Sequence, residues 1–237
     1  MIRHILHEKK KGFSTMILSM FIIFFIIVFV CIGMYMRAAD ILNQFIRNDA
    51  DSATMAAAVI NIDTYNADRK FQIIGAADET NNNTSANESA EVYDKFHKYA
   101  SSLVATMGIT STGFSGGNLG WAATQLGVCE FVIDDFYIYD YVNDALIEYK
   151  ISDITLQQLV NAANNSFSGL HITKRVGASG SLSSTPFQDY RRSDKQLPTV
   201  FATFSFNLNL PRAFMSIGSD SLSERVTVNS IAQVEQS

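Results

Sequence analysis

The 237 residues carry a formal net charge of −5 and a sequence pI of about 5.3, so the basic surplus needed for general nucleic-acid or anionic-lipid binding is missing. A hydrophobic content of 47% is enough for a folded core. Two cysteines cannot staple that core, because Cys31 lies inside a long apolar run and Cys129 lies far outside it.

Residues 1–12, MIRHILHEKKKG, form a basic leader. From Gly12 to Met36 no charged residue appears. A helix needs about 20 apolar residues to cross ~30 Å of hydrocarbon, and only a helix satisfies every backbone group there, so 13–36 is expected to span a membrane. Arg3 and Lys9-Lys10-Lys11 precede the run and Arg37 alone follows it closely. Lys/Arg excess marks the cytoplasmic side, which predicts an inside N-terminus and an extracytoplasmic remainder. The apolar core exceeds the ~7–15 residues of a cleavable signal and lacks a small-residue cleavage site, so a retained anchor is expected.

The helical pattern continues. From Ala38 to about Ile60 there is no Gly or Pro, and Ile41, Leu42, Phe45, Ala53, Ala56, Ala57 and Ile60 recur at steps of three and four. Residues 37–64 therefore read as a helical extension. Its small side chains allow close approach of another helix, which makes Ala53, Ala56, Ala57 and Ile60 candidate interface residues. The rival expectation is a stalk packed only on its own domain.

Residues 65–237 read as one α+β domain. Asp78 to Ala90 is a polar Asn/Ser/Thr stretch, hence a surface loop. From Ala90, Val92, Phe96, Tyr99, Leu103, Val104 and Met107 mark an amphipathic helix ending at Gly108, followed by a glycine-rich connector over 111–120. Val128–Val142 reads as a strand whose alternation changes parity near Asp134-Asp135, which predicts a bulge or tight turn. Leu146–Ile151 pairs with it through Asn143-Asp144, and Thr155 with Gln158 forms a capping box for a short helix. Further strands are expected over Leu170–Val176, Thr199–Leu210 and Glu224–Val234. Between them, the loop holding Phe187, Tyr190, Arg191 and Arg192 offers a possible interaction surface, since Arg and Tyr enrich at binding hot spots. A long N-terminal helix on a mostly antiparallel sheet is the architecture this order predicts.

Gly12-Phe13, following a basic leader and opening an unbroken apolar helix, resembles the prepilin signal of type IV pilins and pseudopilins. The run Asp49–Ala58 is similar to the alanine-rich segment of TadE/TadG-like proteins of Flp-type pilus and secretion systems. The resemblance implies cleavage after Gly12, Phe13 as the mature N-terminus, a pilin-like head, and partners that are like subunits bundled through the helix. The glutamate usual five residues after the cut is replaced by Ile17, which suits a tip position better than a shaft position.

No catalytic or metal constellation emerges. His4 and His7 belong to the leader, His97 and His171 match no zinc spacing, and adjacent Asp134 and Asp135 point to opposite faces of a strand. No cofactor and no small-molecule substrate are expected. The primary expectation is a non-enzymatic, membrane-anchored structural subunit. The second is a tethered binding or sensing domain, and the third an anchored enzyme.

Overall fold

The computed structural model describes residues 2–68, 70–117, 120, 128–177, 182, 197–209 and 223–234. The chain divides into two units, Met1–Asn43 and Gln44–Ser237. Helix α1 runs without interruption over Ile2–Ala57.

The first unit consists of helix. Most of its apolar side chains from Met16 to Met36 stand exposed, Phe29 at 71% and Met34 at 69%. The window of mean hydropathy 3.1 makes this the one helix among the described residues long and apolar enough to cross a membrane, and it fits a single-pass anchor. Helices of the soluble kind bury one face; this stretch buries none.

The second unit is α+β. Past residue 44, α1 buries Ile46, Ala50, Ala53, Thr54 and Ala57. The helix stops at Ala57, three residues short of the expected Ile60, where β-branched Val59, Ile60 and Ile62 lower helix propensity. Asn61 then restarts the chain. Its side-chain oxygen accepts the Thr64 N–H at 3.1 Å, opening the short helix α2, Ile62–Asp68. A strap of residues 71–78 leads to α3, Ala86–Met107, which buries Val92, Phe96, Tyr99, Leu103 and Met107 as the apolar spacing predicts. This helix begins four residues earlier than the expected Ala90, because Ser85 and Glu88 form a reciprocal capping box.

Gly108 ends α3 in the left-handed conformation, φ 69°. The following glycine-rich segment is more than a connector: β1, Ile109–Thr110, pairs antiparallel with β2, Gly113–Phe114. A Cβ at Gly108 would lie 2.0 Å from the Gly116 carbonyl oxygen, so glycine is required twice over there.

The main sheet is antiparallel throughout. Strands β3 (Val128–Val142), β4 (Ala145–Ile154), β5 (Ile172–Gly177), β6 (Thr199–Asn209) and β7 (Ser223–Gln233) lie in the order β5-β4-β3-β6-β7. Asn143 and Asp144 join β3 to β4 with φ of 46° and 66°, the paired positive values of a type I′ hairpin. A register shift between Ile133 and Asp135 is the bulge that the parity change foretells. It lets Phe131 and Ile133 face the same core as Phe136 and Ile138. Helix α4, Leu156–Ala163, carries the expected Thr155–Gln158 capping box.

One face of the sheet holds the main core. Phe136 meets Phe96 and Tyr99 of α3 at ring separations of 5.1 and 4.9 Å. The α1 segment seats on β7, where the Thr54 and Ser230 hydroxyls lie 2.8 Å apart and Ser230 donates to Asp51 Oδ1 at 2.6 Å. On the opposite face Tyr137, Tyr139, Leu146 and Phe201 form a second cluster, with Leu182 packed against it.

Replacing Gly108 with Ala is expected to cost about 2 kcal/mol or more, from left-handed strain of ~1–2 kcal/mol plus the clash. Chemical denaturation of the detergent-solubilised chain would read this as a lowered midpoint. Gly33→Ala, where nothing stands within 4 Å of the new methyl, should leave the midpoint unchanged.

Candidate functional site

Two regions can carry function: the α1 surface, and a buried network of charges beneath the 71–78 strap.

The α1 surface corrects one expectation. Ala53 and Ala57 are fully buried within the chain's own fold, and Ala56 and Ile60 are half-buried. The small side chains admit this chain's own sheet, through Thr54 and Ser230, and so Ala53 and Ala57 are closed to a neighbouring helix. The exposed apolar residues past the apolar run are instead Ile41, Phe45, Met55, Val59 and Ile62, with Met55 at 64% and Ile62 at 63%. Sequence spacing identifies an amphipathic helix but not which face the fold covers: Leu42, Ile46, Ala53 and Ala57 lie inside, and Ile41, Phe45 and Met55 outside. Gly12 and Phe13 fall within α1, whose backbone is helical there. Phe187, Tyr190, Arg191 and Arg192 lie outside the described residues.

The strap is held by carboxylates. Asp140 on β3 accepts the N–H of Ile73 at 2.9 Å and of Ile74 at 2.6 Å. Glu91 on α3 accepts from Gly75 at 2.5 Å and Ala76 at 3.4 Å. Glu88 accepts from Asp78 at 3.0 Å. The N–H groups of Ile73, Ile74, Gly75, Ala76 and Asp78 are thus received by carboxylates in place of sheet partners. Gly75 makes the close approach possible, since a Cβ there would lie 2.4 Å from Thr64 Oγ1 and 2.5 Å from Asn61 Nδ2.

Lys174 on β5 completes the network. Its ammonium, fully buried, donates to Glu88 Oε1 at 2.6 Å and to the Asp78 carbonyl at 2.6 Å, while the Tyr149 hydroxyl donates to Glu88 at 2.9 Å. Burial alone would raise the Glu88 carboxyl. Lys174, the Ser85 and Asp78 N–H groups and the Tyr149 hydroxyl outweigh it and hold the group down at about 2. Burial pushes Asp140 up to about 7, against the Ile73 and Ile74 N–H groups and Lys95. Burial also lowers Lys95, which donates to the Val59 carbonyl.

Sequence analysis singles out none of Asp140, Lys174, Ser85 and Glu88, yet each leaves a trace. Asp140 and Lys174 occupy inward positions of alternating strands, where an apolar residue is expected. Ser85 and Glu88 have capping-box spacing just before an apolar helix.

Asp135 pairs with Lys150 at 3.0 Å and Asp134 with Arg225 at 3.2 Å, so the two aspartates serve different partners. His97 Nδ1 lies 2.8 Å from the Ala162 carbonyl oxygen and His171 is exposed. Among the described residues no three His, Cys, Asp or Glu side chains are grouped to hold a metal ion. A shallow cleft of about 380 Å³ is lined by Lys70, Phe71, Tyr141, Asn143 and Pro198, and its ammonium donates to Asn143 Oδ1 at 3.2 Å.

No protein-family model, no curated protein and no solved structure matches this chain.

Breaking the Glu88–Lys174 pair should be costly, because each single change leaves the other charge buried. Lys174→Met is expected to destabilise by about 3–5 kcal/mol, and the double variant with Glu88→Gln to recover part of that. Depression of the Glu88 carboxyl fixes the sign with pH: its contribution is full above its unfolded value of 4.5 and is lost as pH falls toward 2. Denaturation midpoints between pH 6 and 2.5 check this, and Glu88→Gln should flatten the acid limb.

Proposed function

We propose that this chain is a non-enzymatic, single-pass membrane protein of pilin-like build that acts as a structural subunit, assembling with like subunits through its N-terminal helix. The observation that carries the reading is α1 itself. One helix of 56 residues carries an apolar run that is largely exposed from Met16 to Met36 and supplies core residues to an α+β domain from Ile46 to Ala57. A helix whose C-terminal part is a core element of the domain suits a structural subunit, because the domain cannot fold without it. The basic residues before the apolar run favour a cytoplasmic N-terminus and an extracytoplasmic domain. Resemblance of Gly12-Phe13 to a prepilin signal supports processing between these residues, and Ile17 in place of glutamate supports a minor or tip position in a pilus or secretion apparatus.

Contact between subunits is assigned to the apolar run, where helices associate by close packing in lipid, and above it to Phe45, Met55, Val59 and Ile62.

A second reading, a tethered binding or sensing domain that does not polymerise, is favoured by one observation: Ala53 and Ala57 are consumed by the chain's own core.

Two variants separate the readings. Met55→Glu with Val59→Glu should leave the domain folded and abolish higher-order species in chemical cross-linking of native membranes. Ala57→Leu should instead destabilise the domain by about 1–3 kcal/mol through overpacking. A chain that is monomeric by cross-linking before any substitution, with an intact Met1 by mass spectrometry, would overturn the structural-subunit reading and leave the tethered domain.

A further inference from the structure

Ionisable side chains face the 71–78 strap from four elements. Glu88, Glu91 and Lys95 come from α3, Asp140 from β3, Tyr149 from β4 and Lys174 from β5, while the Asp78 carboxylate turns away to Thr80. Asp140, Glu88, Lys95 and Lys174 are all buried. Three carboxylates against two ammonium groups leave one negative charge in excess. The two cations are already committed. Lys174 is in contact with Glu88, and Lys95 donates to the Val59 carbonyl. Asp140 has no contacting ammonium among the described residues, and only the strap N–H groups of Ile73 and Ile74 meet its oxygens. Glu91 is half-buried and keeps access to water; Asp140 is sealed at 0% exposure. The excess charge therefore rests on the carboxylate least able to be hydrated.

We propose that the network takes up one proton at Asp140 near neutral pH, and that the strap is held more firmly in this charge-balanced state than in the ionised one. The strap is then a proton-tightened latch over Ile73, Ile74 and the core beneath them. Burial raises the Asp140 carboxyl to about 7 from an ordinary value of 3.8, consistent with the charge count. In an opened strap Asp140 is hydrated and regains its ordinary value. Between those two values the closed state binds a proton that the open state lacks, so falling pH favours closure and the dependence levels off above 7. Glu88 acts with the opposite sign, but only below 4.5. Burial lowers the Lys95 ammonium as well, and the Asp140→Asn comparison, which leaves Lys95 in place, separates the two groups.

The test is amide hydrogen exchange of the full chain in detergent, corrected for intrinsic rates, at pH 5 to 8.5. Protection of the Ile73 and Ile74 amides should rise about tenfold per pH unit as pH falls from 7 to 5 and stay flat above 7. Asp140→Asn should abolish the slope. Because that variant could fail to fold, infrared difference spectra of the wild-type chain supply a second readout: the C=O stretch of one neutral, buried carboxylic acid at pH 5.5 that disappears by pH 8.5. A flat wild-type exchange profile, a slope that survives in Asp140→Asn, or absence of the neutral-acid band would each overturn the proposal.

Discussion

The fold depends on how closely α1 approaches the sheet. Ala50, Ala53 and Ala57 are buried on the stretch of α1 that the Asp51–Ser230–Thr54 hydrogen bonds tie to β7, where larger side chains would overpack. Burying Ile46 beside them stabilises the seating by about 1.5–3 kcal/mol. A domain built on this contact cannot let go of the end of α1 without opening its own core.

A second constraint acts at the other end of the sheet. The chain must cross from α2 to α3, and the 71–78 strap does so buried, away from sheet partners, with its N–H groups received by side-chain carboxylates. Carboxylates serve well because each can accept several donors at once. The cost is a set of acids in a region of low dielectric, compensated by Lys174 at Glu88 but not at Asp140. Stability and proton binding are therefore linked at one place in the molecule.

Local features were legible in the sequence because they depend on neighbours a few residues away. The apolar run, the Thr155–Gln158 capping box, the Asn143-Asp144 hairpin, the stop at Gly108 and the parity change at Asp134-Asp135 all belong to this class. What sequence could not give is which face of a helix the rest of the chain covers. Ala53 and Ala57 look available to a partner until Ser230, some 170 residues away, is placed against Thr54. Small size signals close approach but not the identity of the approaching group. Asp140 and Lys174 tell the converse story: alternation put them inside, and only the fold reveals the strap and Glu88 that make their burial tolerable.

The central claim is that one unbroken helix serves both as anchor and as core element. Hydrogen exchange of the chain reconstituted in lipid measures this directly. The account predicts slow-exchanging amides without a gap from Ile17 through Ala57, and fast exchange beginning at Val59. A fast-exchanging break near Arg37, with protection resuming only beyond it, would contradict it.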